Sequence, residues 1–196
     1  MKVVVIDYNA GNVQSVLFAL EKLGYTPVLS ADHAIIRSAD KVIFPGVGEA
    51  STTMRYLRER GLDEVIIKLT QPVLAICLGM QLLCNHSAEN DTACLGIMPM
   101  QVKKFQTVGG LKVPHMGWND LTIYPQILPL NLTGQYVYFV HSYYVEEGPH
   151  TAASAYYGVP FSAMLRKDNF LATQFHPEKS GSTGMTILKY FLDSNA

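Results

Sequence analysis

Short apolar runs alternate with amphipathic stretches along the first half of the chain. Four runs are rich in aliphatic residues and are predicted as strands: residues 2–7 (KVVVID), 26–30 (TPVLS), 41–46 (KVIFPG) and 72–76 (PVLAI). Amphipathic stretches predict helices over residues 12–24, 52–62 and 78–87. Repeated strand–helix units of this kind predict a parallel sheet with right-handed crossovers.

The second half changes to short β-branched or aromatic segments separated by Gly, Pro or Asn, which predict antiparallel or mixed strands. An amphipathic helix is predicted over residues 182–195, with Ser182 as its N-cap. We therefore predict one α/β domain spanning residues 1–196, in which a mixed, mostly parallel central sheet lies between flanking helices.

Composition narrows the class of protein. Of 196 residues, 48% are apolar and 16% charged, and the formal net charge is −1 without a basic stripe, which argues against nucleic-acid binding. No apolar segment approaches the about 18 residues of a membrane span, and the N-terminus lacks signal-peptide features, so we expect a cytoplasmic protein. Three cysteines indicate free thiols, and Cys and His spacings argue against a metal site.

Cys77 lies between a predicted strand and a predicted helix, unlike Cys84 and Cys94. A cysteine in an apolar run is more often a core residue, and this is our interpretation of Cys84 and Cys94. A strand–nucleophile–helix turn instead exposes its side chain on a sharp bend, where Gly79 relieves crowding. The helix N-terminus also stabilises a thiolate through unpaired N–H groups and its dipole. Cys77 is therefore the candidate nucleophile.

A cysteine nucleophile needs a base and an acid that orients the base. His176 and Glu178 are two residues apart on a segment that Pro177 keeps extended, so they can point the same way. The carboxylate would then hold the imidazole in the tautomer that accepts the thiol proton. Taken alone, His-Pro-Glu is more typical of a surface turn.

The loop FPGVGEA, residues 44–50, is the third candidate element. Pro-Gly-x-Gly after a strand is usually only a tight turn. Gly46 and Gly48 would nonetheless let backbone N–H groups approach a ligand closely, as an oxyanion hole requires. The N–H of Leu78, directly after the nucleophile, would complete that hole.

In this order on an α/β chain, PGVG, CLGMQ and HPE resemble the signatures of the class I glutamine amidotransferases, which have a flavodoxin-like fold. The segments DYNAGN, PHMGWN, HSYY and HPEKSG resemble more narrowly the glutaminase subunits of imidazole glycerol phosphate synthase, and the resemblance spans residues 2–193. The sequence departs from that family in the first loop, where it has Asn9 at a position that is frequently Gly.

The resemblance implies that Cys77, His176 and Glu178 form a triad that hydrolyses L-glutamine through a glutamyl thioester. It implies oxyanion donors in the backbone of Gly46, Val47 and Leu78, and it implies no cofactor. Glutamine binding is assigned by the resemblance to Gly48, Gln81, Glu89, Ser142 and Tyr143. An exposed Glu in a polar loop is usually only solvated, which is the competing interpretation of Glu89.

The resemblance also implies a partner, a (β/α)₈-barrel cyclase subunit that forms a heterodimer with this chain and uses its ammonia. Together they would convert the formimino carboxamide nucleotide PRFAR and glutamine to imidazole glycerol phosphate, AICAR and glutamate in histidine biosynthesis. We expect docking near Cys77, through Asn12, Trp118, Tyr138 and Lys179. A plain core position competes for Trp118, and a solvated side chain for Lys179.

Three alternatives stay open. A glutaminase that serves another synthase is disfavoured by PGVG and PHMGWN. A non-amidotransferase elbow-cysteine protein, such as a protease or redox-responsive chaperone, would need Cys77 and His176 but neither Gln81 nor the PGVG loop. An inactive scaffold is disfavoured by the intact triad.

Overall fold

The computed structural model describes residues 1–8, 13–107, 110–128 and 130–194, and its first half alternates strands and helices. Four strands of this half share one sheet: β1 (Val3–Ile6), β2 (Val28–Ser30), β3 (Lys41–Phe44) and β4 (Val73–Ile76). They pair in parallel, as predicted, and their order is β2-β1-β3-β4. Every residue of β1, β3 and β4 is buried, because helices cover both faces of the sheet.

The described residues form six α-helices: α1 (Gln14–Lys22), α2 (His33–Arg37), α3 (Ala50–Glu59), α4 (Leu62–Ile67), α5 (Leu78–Leu82) and α6 (Gly181–Asp193). The sequence analysis missed α2 and α4, which are too short to show a helical period. The predicted N-cap of the last helix is wrong, since α6 begins at Gly181 and Ser180 occupies the N-cap position.

The described residues from 84 onward form ten further strands: β5 (Cys84–Ser87), β6 (Thr92–Ala93), β7 (Met98–Lys104), β8 (His115–Asp120), β9 (Thr122–Ile123), β10 (Tyr136–His141), β11 (Tyr143–Val145), β12 (Thr151–Tyr157), β13 (Val159–Lys167) and β14 (Phe170–Thr173). β14 pairs in parallel with β4 and antiparallel with β13, so the main sheet becomes mixed and continues through β12 to β9. Two smaller sheets have the orders β11-β7-β5-β6 and β10-β8.

The helix predicted over residues 78–87 is wrong in its second half. α5 ends at Leu82, and the next residues form β5, which pairs in parallel with β7. The N–H groups of Leu95 and Met98 donate to the carbonyls of Leu82 and Leu83 at 2.9 and 2.8 Å. These carbonyls at the end of the helix are therefore satisfied by the following chain rather than by another helical turn.

Buried apolar side chains form two clusters, one on each face of the main sheet. Alternate residues of β1 divide between them: Val4 belongs to the cluster under α2–α5, whereas Val3 and Val5 belong to the cluster under α1 and α6. This division follows from the two-residue period of a strand. None of the helices in the described ranges is long and apolar enough to cross a membrane.

Candidate active site

Three neighbouring parallel strands end at the same edge of the main sheet. β4 lies between β3 and β14, and all three run in the same direction. The PGVG loop follows β3, Cys77 follows β4, and His176 comes shortly after β14. Ligands of open α/β sheets bind outside the carboxyl ends of strands. The topology thus brings together three segments that are far apart in the sequence.

Cys77 sits on a strained turn between β4 and α5. Its φ of 54° and ψ of −110° are unusual for a residue with a side chain, and its N–H donates to the Thr173 carbonyl at 2.7 Å. The surrounding backbone is crowded: a Cβ on Gly79 would lie 2.4 Å from the Phe44 carbonyl oxygen, and one on Gly46 would lie 2.2 Å from the Gly79 nitrogen. Glycine is therefore required at both positions for the loop after β3 to pack directly on the turn that carries Cys77, which we call the elbow.

His176 and Glu178 form a buried pair. The Nδ1 atom of His176 lies 2.7 Å from Oε1 of Glu178, and each side chain is only 3% exposed. The backbone is fixed as well, because the His176 N–H donates to the Tyr138 carbonyl at 3.0 Å and the Ser180 hydroxyl donates to the His176 carbonyl at 2.6 Å. The carboxylate therefore holds the proton on Nδ1 and leaves Nε2 for chemistry.

The electrostatics of His176 link it to Cys77. Burial lowers the pKa of His176, but interactions with the Cys77 thiol and the Glu178 carboxylate outweigh burial and raise it to about 10. Its Nε2 atom is buried and has no hydrogen-bond partner within the described residues. The imidazole can therefore hold a proton at Nε2 on the side of Cys77, which is the relation required of a base and its nucleophile.

A cavity of about 380 Å³ opens above the elbow. The predicted residues that line it are Val47, Gly48, Cys77, Leu78, Gln81, Glu89, Ser142, Tyr143 and His176. Glu178 lies behind His176, and Gly46 lies against the elbow. Residues assigned from three separate motifs thus face one space large enough for a small polar molecule.

The oxyanion segment differs from the sequence expectation. The Leu78 N–H donates to the Gly46 carbonyl oxygen at 3.3 Å, so this donor already has a partner inside the chain. Because a peptide unit is planar and trans, the Val47 N–H points away from the elbow when the Gly46 carbonyl points toward it. The expected pair of donors is therefore not presented to the cavity in this conformation.

The candidate glutamine-binding side chains are held by the backbone. Gln81 is buried, and its Nε2 donates to the Tyr143 carbonyl at 2.9 Å. Glu89 accepts from the Ala50 N–H at 2.7 Å, and burial raises its pKa despite that hydrogen bond. Glu89 is therefore a fixed carboxylate at the cavity wall rather than a freely solvated one.

Two buried polar residues near Cys77, and a third that contacts one of them, were not predicted from the sequence. Gln174 has its Nε2 3.8 Å from Sγ of Cys77. Nδ1 of His141 donates to the Tyr143 carbonyl at 2.7 Å, and its Nε2 lies 2.9 Å from Nδ1 of His115. Burial lowers the pKa of His141 to about 3 and that of His115 to about 4, so both rings are neutral. Gln174 and His141 each directly follow a mostly apolar run, and this placement was the available signal in the sequence.

Comparison with known proteins assigns the family. The class-I glutamine amidotransferase family matches residues 4–194. The chain belongs to the class-I glutamine amidotransferase family. The resemblance described from its motifs and the predicted fold class are both confirmed.

Relatives of this amidotransferase are similar over their whole length. The imidazole glycerol phosphate synthase subunit HisH of Bacteroides thetaiotaomicron is 56% identical over 98% of this chain and 100% of its own. That of Idiomarina loihiensis is 47% identical over 98% of both chains.

Solved structures share the fold at lower identity. A crystal structure of a glutamine amidotransferase has a TM-score of 0.75 at 20% identity and covers 97% of both chains. A glutamine amidotransferase from Thermotoga maritima has a TM-score of 0.65 at 15% identity, and the match covers 97% of this chain and 82% of its own.

The amidotransferase exposes aromatic and apolar side chains on the two-stranded sheet β10-β8. Trp118 is 56% exposed, so its interpretation as a core residue is wrong. Its ring packs edge-on against Tyr138 at a centroid distance of 6.0 Å, on directly paired positions. Met116 and Tyr136 are also exposed. We call Met116, Trp118, Tyr136 and the half-buried Tyr138 the exposed aromatic face.

This face is continuous with the active site of the amidotransferase. The Tyr138 carbonyl accepts from the His176 N–H, and the Tyr138 N–H donates to the Ser180 hydroxyl at 2.9 Å. Lys179 lies between these two contacts in the sequence and is exposed. Asn12, the remaining interface candidate, lies outside the described residues.

Proposed function

We propose that this amidotransferase is the glutaminase subunit of an imidazole glycerol phosphate synthase. It would hydrolyse glutamine at Cys77 and pass the ammonia to a cyclase subunit in histidine biosynthesis. The observation that carries the proposal is the full-length identity of 56% to a HisH subunit, combined with Cys77 and His176 lining one cavity and Glu178 pairing with His176 behind it. We further propose that residues 1–196 act as one domain, in the cytoplasm and without a cofactor.

The triad would work as follows. Nε2 of His176 takes the thiol proton, and the thiolate of Cys77 attacks the side-chain amide carbon of glutamine. His176 then protonates the departing nitrogen, so ammonia leaves neutral and a glutamyl thioester remains. Water attacks the thioester with His176 again as base. Glu178 supports each step because it fixes the ring tautomer and stabilises the imidazolium.

The oxyanion of the tetrahedral intermediate would be met by the N–H groups of Leu78 and Val47. Each such donor is worth about 10²–10³ in rate. The peptide between Gly46 and Val47 must first rotate, because the Gly46 carbonyl now occupies the Leu78 N–H. We propose that the described conformation is a resting state, and that docking of the cyclase and its ligand favours the rotated one.

Substrate recognition would use fixed groups of the cavity. Both N–H groups of Gln81 are engaged, one by the Tyr143 carbonyl and one by Oε1 of Gln174, so Gln81 offers the substrate only its acceptor oxygen. Glu89 offers a carboxylate for an α-ammonium group. Ser142 and Tyr143 would hold the α-carboxylate, and Gly48 would line the approach.

The proposed partner is a (β/α)₈-barrel cyclase that forms a heterodimer with this chain. Ammonia is mostly protonated in neutral water and then no longer nucleophilic, so a closed path to the cyclase protects it. The exposed aromatic face fits a protein interface, because Trp and Tyr are enriched at interface hot spots. Asn12 and Lys179 are the further contacts that we propose. The joint products would be imidazole glycerol phosphate, AICAR and glutamate.

The test is glutamate release from glutamine, measured with and without the cyclase subunit and PRFAR. We expect turnover to rise strongly in the complex, and Cys77→Ala to abolish it while added ammonium still supports the cyclase. Glutamine-driven cyclisation by the Cys77→Ala complex would contradict the proposal.

A further inference from the structure

Gln174 is a fully buried polar side chain that the mechanism above does not use. It lies between the end of β14 and His176, and its side chain touches the nucleophile. Its Nε2 lies 3.8 Å from Sγ of Cys77, within hydrogen-bonding range of sulfur, and its Oε1 lies 2.9 Å from Nε2 of Gln81.

The neighbouring groups fix which end of the Gln174 amide faces the sulfur. A backbone carbonyl only accepts, so the end of Gln81 that lies 2.9 Å from the Tyr143 carbonyl must be its NH₂ group. The same NH₂ group lies 2.9 Å from Gln174, which must therefore present its oxygen there. The NH₂ group of Gln174 is left to face Cys77. Turning the amide over would set two NH₂ groups against each other and leave the Gln174 NH₂ group and one N–H of Gln81 without an acceptor.

A donor in this position distinguishes the two states of the sulfur. A thiolate accepts a charge-assisted hydrogen bond, which is about twice as strong as one to a neutral group. The thiol form gains less from the same donor. Complete burial strengthens the interaction further, because water does not compete for the amide.

We propose that Gln174 is a further catalytic residue, whose side-chain amide donates to Sγ of Cys77 and stabilises the thiolate that attacks the substrate. The inference rests on the proposed function, because it takes Cys77 as the nucleophile. Gln81 acts through Gln174 and is a positioning residue in this respect, since it holds the amide oxygen away from the sulfur.

The test compares Gln174→Met and Gln174→Glu in the full-length chain. The rate of alkylation of Cys77 by iodoacetamide is measured at pH 7.5, with peptide mapping to separate it from the other thiols. Methionine has a similar length and no donor, so we expect about a tenfold slower reaction. Glutamate keeps the shape and can still accept from Gln81, but it places an anion beside the sulfur. We therefore expect it to be slower still.

The two variants together separate a donor from a spacer. If Gln174 only fills space, Gln174→Met should react like the wild type, because methionine occupies a similar volume, and this result would overturn the proposal. Equal rates for all three chains would also overturn it. A fixed pH keeps the titratable groups that influence the site, His176, His141 and Tyr8, the same in each comparison. Thermal unfolding of each variant shows whether it is folded.

A measurement on the unaltered chain covers the case in which both variants fail to fold. Alkylation of Cys77 removes the anionic acceptor, so the side-chain amide resonances of Gln174 should shift in a ¹⁵N–¹H spectrum. Resonances that do not move would contradict the proposal. Neither measurement uses glutamine, so a failure of the proposed function would appear separately, as an absence of glutamine hydrolysis by the wild-type complex.

Discussion

Cys77 and Cys84 belong to one apolar segment and are both buried, yet their surroundings are opposite. Cys77 lies on a strained turn, lines the cavity and raises the pKa of His176. Cys84 opens strand β5, has its Sγ 3.8 Å from the Met80 carbonyl, and burial raises its pKa. Burial without a cationic neighbour therefore keeps a thiol neutral and inert. The reactive site comes from the turn and the imidazole, not from the residue type.

The largest expected difference between the two cysteines is in glutamine hydrolysis by the complex. Cys77→Ala should lower kcat by about 10⁴-fold or more, because no nucleophile remains. Cys84→Ala should stay within about twofold of the wild type. Steady-state glutamate release checks both. A comparable loss in Cys84→Ala would show that the two environments do not differ as described.

Removing the imidazole should make Cys77 resemble Cys84. In His176→Ala, we expect the iodoacetamide reaction of Cys77 at neutral pH to slow by about 10²-fold, which is the lower end of the general-base contribution. The reaction of the partly exposed Cys94 in the same sample is the internal control and should not change, whereas Cys84 should stay unreactive. Peptide mapping follows both. If the rate at which Cys77 reacts with iodoacetamide did not depend on His176, the role of His176 as its base would be contradicted.

The backbone crowding around Cys77 is the next feature to break. Gly46→Ala should destabilise the fold by about 2 kcal/mol, because its Cβ would meet the Gly79 nitrogen at 2.2 Å. Gly148→Ala is the matched control, since its Cβ would meet only the flexible end of Met100 at 3.0 Å. Denaturant unfolding of both variants gives the comparison. If both variants lost a similar amount of unfolding free energy, the elbow would be able to move aside for the added Cβ.

The smallest effect concerns backbone strain alone. Cys77→Gly should be more stable than Cys77→Ala by about 1 kcal/mol, because glycine adopts the positive φ without a penalty. At position 84 the glycine variant should instead be less stable than the alanine variant, since glycine weakens a strand. Urea midpoints of the four variants check both orders. If the glycine variant were the more stable one at both positions, the difference in stability would not come from the positive φ of the turn.

Much of the fold follows from the pattern of apolar runs. β1, β3 and β4 are predicted because parallel strands buried on both faces read as continuous aliphatic segments. The predicted helix over residues 78–87 fails after Leu82, because residues 84–87 (CNHS) form β5 instead. The deciding factor is the pairing of β5 with β7, which lies outside the local sequence.

The candidate site was predictable wherever a residue type carries its own chemistry. Cys77 and His176 are of this kind, and their meeting at one cavity follows from adjacent strand ends. The Gly46 carbonyl on the Leu78 N–H was not predictable, because a peptide can face either way with the same side chains. Gln174 was missed for a different reason. Its importance comes from which end of a symmetric-looking amide faces the sulfur, and distant partners decide that.

The contact between the Gly46 carbonyl and the Leu78 N–H has a consequence for how the cell uses glutamine nitrogen. If the described conformation is the resting state that we propose, a chain whose Gly46 carbonyl occupies the Leu78 N–H would hydrolyse little glutamine by itself, so copies made in excess of the cyclase would leave the glutamine pool largely untouched. Ammonia would then be released mainly where a companion enzyme captures it, and one reversible rotation of the main chain would match supply to demand.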